Sequence, residues 1–106
     1  MRISGFDWDA GNVDKCRKHG VSVEEIEDLF RGTPAVYADP SHSLTEQRLR
    51  AIGRTAAGRA VIVAFTMRRK VDGTYLRPIS ARYMHAEEVH RYEQSQAEAD
   101  AGPADR

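Results

Sequence analysis

The chain is poor in cysteine and tryptophan, and it has no long apolar run. Its single cysteine, Cys16, excludes an internal disulfide and a four-cysteine metal site. Such usage favours a reducing compartment, so the expected location is the cytoplasm. The longest apolar run, AVIVAF from Ala60 to Phe65, is far too short to span a bilayer, and no membrane partner is expected. The opening residues MRISGFDWDAG lack the apolar stretch of a secretory signal. No GxGxxG and no P-loop occurs, so a nucleotide-dependent small-molecule enzyme is disfavoured and no cofactor is expected. The four histidines have no metal-ligand spacing with one another, so no metal site is expected either.

What is present is a soluble composition with an uneven charge. Hydrophobic residues make up 41% and charged residues 30%, which suits a small globular domain rather than a disordered chain. The length, 106 residues, allows one such domain. Net charge is zero, yet residues 1–47 hold five Lys/Arg against nine Asp/Glu, and residues 48–94 hold ten against four. A basic second half suggests an anionic ligand such as nucleic acid; acidic helices lying against a basic sheet would give the same sum.

Local patterns predict an α+β chain. Ile3 to Trp8 reads as a short strand, and Asp9 caps a first helix, AGNVDKCRKH, that closes at Gly20. Ser22 and Glu25 have capping-box spacing ahead of the apolar stripe Ile26, Leu29 and Phe30, and Gly32 can end that second helix. Ala35 to Ala38 is a strand candidate, followed by the polar loop DPSHSLTE. Gln47 to Arg54 alternates, with Arg48, Arg50, Ile52 and Arg54 on one face. Three arginines cannot all be buried unpaired, so that face is solvated or ligand-bound. RAVIVAFTMR and TYLRPISA complete an antiparallel meander; Pro78 has no backbone donor, so its strand lies at an edge or bulges there. A last helix opens at His85 or Ala86. The expected architecture is two N-terminal helices, an antiparallel β-meander and one C-terminal helix, a single domain over 1–94 with 95–106 as an unstructured tail.

Five short motifs carry a family resemblance: FDWD, KHGVSVEEIEDLF, the E-x-R-x-x-x-I-G-R run of Glu46 to Arg54, ISAR at Ile79 to Arg82, and E-x-x-R-Y-E at Glu88 to Glu93. In this order they resemble the BrnT family, toxins of a bacterial type II toxin–antitoxin system, over residues 6 to about 94. The resemblance implies a RelE-like fold and metal-independent ribonuclease activity. It also implies a ribbon-helix-helix, BrnA-like antitoxin that neutralises the toxin, with operator DNA bound through the complex. Pro78, Met84 and His85 depart from the family pattern.

Metal-free RNA cleavage uses the substrate's own 2′-hydroxyl as nucleophile, so the protein must stabilise charge on the phosphate. Arginine suits that task, because its fork binds phosphate oxygens bidentately and stays charged. Arg48, Arg54 and Arg82 are therefore the expected catalytic cations, with Arg50 and Arg77 as helpers that position the backbone. Glu46 is either a base for the 2′-hydroxyl or the ion partner of Arg48. Lys18 and His19 are explained as cations on a helix dipole, but the resemblance includes this KHG and a histidine titrates where acid–base chemistry needs it. Ser80, within ISAR, and Tyr83, beside Arg82, are expected to touch substrate, Tyr83 by holding a base or donating to phosphate. His85 could protonate a leaving oxygen or simply cap the last helix. The rival expectation is a non-catalytic module that binds its antitoxin and co-represses their promoter.

Overall fold

A computed structural model describes residues 2–40 and 46–101 of the chain. Most of the predicted loop after Asp39, residues 41–45, lies outside the described residues, as do 102–106. Three helices and five strands follow in the order β1 (Gly5–Phe6), α1 (Ala10–Arg17), α2 (Val23–Arg31), β2 (Ala35–Ala38), β3 (Leu49–Arg54), β4 (Ala60–Lys70), β5 (Gly73–Tyr83) and α3 (Ala86–Ala101). The strands form one sheet in the order β1-β5-β4-β3-β2. Strands β2 to β5 pair antiparallel, but β1 pairs parallel with β5 through Tyr75 and Leu76, so the sheet is mixed rather than purely antiparallel.

One face of the sheet is the core. Ala51, Val61, Val63, Phe65, Leu76 and Ala81 are buried there against Cys16 of α1 and Ile26, Leu29 and Phe30 of α2. The rings of Phe6, Phe30 and Phe65 stack in series, with centroids 6.2 and 5.0 Å apart, spacings at which tilted aromatic pairs are favourable. Ser22 and Glu25 form a reciprocal capping box, which starts α2 in the register that buries its stripe. Asp9 and Asn12 do the same for α1. This helix ends at Arg17, short of the predicted His19. Gly20, at φ 91°, turns the chain back, and its amide donates to the Arg17 carbonyl at 2.9 Å. Lys18 and His19 thus lie in a turn, not in helix.

The bulge in β5 has the largest consequence for function. Ala64 pairs with Ser80 but Phe65 pairs with Pro78, so Ile79 is an extra residue. Leu76 and Pro78 are both buried on the core face. Strict alternation would send Ser80 and Arg82 the same way; the extra residue reverses the parity, so Ala81 enters the core and Ser80 and Arg82 face the opposite side. Asn12 holds this irregularity from α1. Its amide nitrogen donates to the carbonyls of Pro78 and Asp7, both at 2.9 Å, and its oxygen accepts from the Asp9 amide at 2.7 Å.

The non-core face carries Arg50, Ile52 and Arg54 of β3 and Ile62 and Ala64 of β4. Helix α3 lies against one end of it, tethered by polar contacts. Glu88 grips Arg82 at 2.7 and 2.8 Å, Glu93 takes Arg54 at 2.6 Å, and Gln96 donates to the Tyr37 hydroxyl at 3.2 Å. The helix continues to Ala101, past the point where composition suggests a tail. Among the described residues no helix is long and apolar enough to cross a membrane.

Candidate functional site

A concave groove of about 280 Å³ opens on the non-core face, lined by His19, Asp39, Arg48, Arg50, Ser80 and Arg82 over a floor of Ile62 and Ala64. Three strands and one turn converge to make it. Arg50 projects from β3, and Arg48 stands just before that strand. Ser80 and Arg82 arrive from β5 by virtue of the bulge. His19 comes from the turn after α1, at the half of β5 that β1 does not cover. Asp39 follows β2, and its amide donates to the Arg48 carbonyl at 3.0 Å, so the two residues stand opposite each other.

Arg82 is held by a bidentate ion pair. Its two terminal nitrogens bind the Glu88 carboxylate bidentately, and Glu88 also accepts from the His85 amide at 2.9 Å. Those bonds, the Arg82 pair first, pull the Glu88 carboxyl down to about 2, so the pair stays charged through the neutral range. A guanidinium has five N–H donors, and this pair consumes two of them.

The placement of the other predicted residues is mixed. Glu46 pairs with Arg68 at 2.9 Å and is not among the residues that line the groove. Strand pairing begins only at Leu49, which leaves Glu46 outside the alternation. Arg54 shares the face of Arg50, but it donates to Glu93 and to the Gly58 carbonyl at 2.9 Å, beyond the groove. Arg77 sits in the middle of β5, before the bulge and outside the groove lining, bound to Asp9 at 2.9 Å and close to Asp7 at 3.7 Å. His85 caps α3 through its backbone, and Lys18 is exposed beside His19 without lining the groove.

Tyr83 faces the opposite side from Arg82. Its hydroxyl donates to Glu25 at 2.9 Å and lies 3.4 Å from the Gly20 carbonyl, while the Arg59 guanidinium carbon lies 3.4 Å from its ring centroid. Glu25 in turn accepts from the Ser22 amide at 3.0 Å, so its carboxyl lies below its ordinary value. Tyr83 therefore fastens the His19–Gly20 turn to the strand that carries Arg82, where a contact with base or phosphate was expected of it.

Asp39 is the groove residue that sequence reading missed. It reads as the first residue of a polar loop, and only the register of β2 against β3 places it opposite Arg48. Among the described residues no three His, Cys, Asp or Glu side chains gather as a metal site.

The fold and the groove together define a small α+β protein with an arginine-lined groove that also holds a histidine and a carboxylate. A family model for ribonuclease toxins of the BrnT type, from type II toxin–antitoxin systems, matches residues 8–88, and the chain belongs to that family. Membership implies an antitoxin partner and an RNA substrate. No curated protein matches the chain.

Proposed function

We propose that this chain is a cytoplasmic, metal-independent endoribonuclease with a RelE-like fold that arrests growth by cutting RNA, and that a ribbon-helix-helix antitoxin silences it and carries the complex to operator DNA. The observation that supports this reading is the meeting of Arg48, Arg50 and Arg82 with His19, Asp39 and Ser80 in one groove. The scissile phosphate sits among the three guanidinium groups. The 2′-hydroxyl attacks phosphorus, the bond to the 5′-oxygen breaks, and a 2′,3′-cyclic phosphate results. Fixed cations aimed at the developing charge are the main catalytic contribution. His19 and Asp39 stand where protons can be taken from the 2′-oxygen and given to the leaving oxygen.

The test is cleavage of single-stranded RNA by the purified chain in EDTA. The expected products carry a 2′,3′-cyclic phosphate, and a substrate with one 2′-deoxy residue resists cutting at that site. Cleavage that stops on chelation and returns with a divalent ion would reverse the mechanism.

The tie between Arg82 and Glu88 supports a second reading, a non-catalytic partner that co-represses its promoter with the antitoxin. Growth arrest on expression of this chain alone separates the two.

A further inference from the structure

A second depression, of about 330 Å³, adjoins the arginine groove and shares two lining residues with it, Arg50 and Ile62. Its walls differ in kind. The sheet supplies Ile52 and Tyr37, α3 supplies Tyr92, and Met84, between β5 and α3, also lines it. Tyr37 is held in place by the bond from Gln96. Burial first, and then the neighbouring Tyr37, raise the pKa of Tyr92, so its hydroxyl stays neutral beside the cleft. Glu88, Arg91 and Ser95 stand on the α3 side with polar atoms.

Single-stranded RNA alternates a charged phosphate with a flat, largely apolar base. A guanidinium-lined groove that runs into an aromatic and aliphatic cleft has the same alternation. We infer that the cleft between α3 and strands β2–β4 is a subsite for one unpaired RNA base, the base next to the phosphate held by Arg48, Arg50 and Arg82. This rests on the groove being the RNA site. Arg50 is the hinge between the two parts: it lines both, so its position couples base and phosphate. The polar groups of α3 meet the edge of the base, and the tyrosine rings and Met84 meet its faces.

The test measures binding of a 2′-deoxy single-stranded oligonucleotide, which cannot be cut. An abasic residue is placed at each position in turn, against wild type, Tyr37→Ala, Tyr92→Leu and Arg48→Ala. Wild type is expected to lose about tenfold in affinity at one abasic position, the order of a single stacked base. Tyr37→Ala and Tyr92→Leu are each expected to weaken binding of the intact strand about as much and to shrink the abasic penalty. An undiminished penalty in both variants, with Arg48→Ala still weakening binding, overturns the base subsite and leaves the groove standing. The same penalty together with lost antitoxin binding in the Tyr variants assigns the cleft to the antitoxin and equally overturns the subsite. Binding indifferent to Arg48→Ala, or none by wild type, overturns the groove and the subsite with it.

Discussion

Arg48→Ala or Arg82→Ala is expected to slow RNA cleavage by roughly 10²–10³-fold, the usual loss when one fixed donor to developing charge is removed, and to abolish growth arrest. Neither change should unfold the protein. Both side chains lie outside the apolar core, and the Arg82–Glu88 pair is part-exposed, a setting in which ion pairs contribute little stability. Circular dichroism is therefore expected to match wild type. Arg82→Lys keeps the charge but loses the planar fork, so it should recover only a small part of the rate. Glu88→Ala separates the roles of the pair. If Arg82 acts on phosphate and Glu88 only aims it, Glu88→Ala retains more activity than Arg82→Ala. Full toxicity of both arginine variants, with normal dichroism, would sink the site.

Asn12→Ala should have the largest effect on stability of any single polar substitution outside the groove. Asn12 is 4% exposed, and its amide donates to the buried Pro78 carbonyl and to the part-buried Asp7 carbonyl, which Arg77 also reaches at 3.5 Å, so one buried carbonyl is the main loss. Each unsatisfied buried group costs about 1–3 kcal/mol. The side chain also returns a bond to the Asp9 amide, and losing such a cap costs about 1 kcal/mol more. A total near 3 kcal/mol predicts a fall in Tm of roughly 12–24 °C for a domain of this size. The loss also falls on the bulge, whose extra residue turns Arg82 toward the groove. Cleavage should therefore drop even at temperatures where the variant is folded. A Tm within two or three degrees of wild type would show that the bulge holds without Asn12.

These two substitutions mark the line between what the sequence discloses and what it conceals. The start of α2 is legible because Ser22 and Glu25 meet within four residues and the stripe Ile26, Leu29, Phe30 follows at once. The arginine face of β3 is legible for the same local reason, a period of two over a short run. Pro78 announces an irregularity, but whether it acts as an edge or a bulge is a matter of pairing with β4, which no local pattern carries. The face taken by every residue after it depends on that choice. Tyr83, adjacent to Arg82 in sequence, consequently holds Glu25 on the far side of the sheet. The places of Asp39 and Glu46 are hidden together, because the register of β2 against β3 brings one into the groove and the other pairs with Arg68. His19 is legible as a candidate from the KHG motif, but its place in the groove depends on the left-handed turn at Gly20, which follows a helix that ends at Arg17.

The central claim is that one groove, and not the basic surface at large, receives RNA. The most direct measurement follows the guanidinium resonances of isotopically labelled arginine while a 2′-deoxy single-stranded oligonucleotide is titrated in. Arg48, Arg50 and Arg82 should shift together and saturably, while Arg31 on α2 and Arg59 over Tyr83 stay where they are. Shifts confined to Arg31 and Arg59, or spread evenly over every arginine, would contradict it.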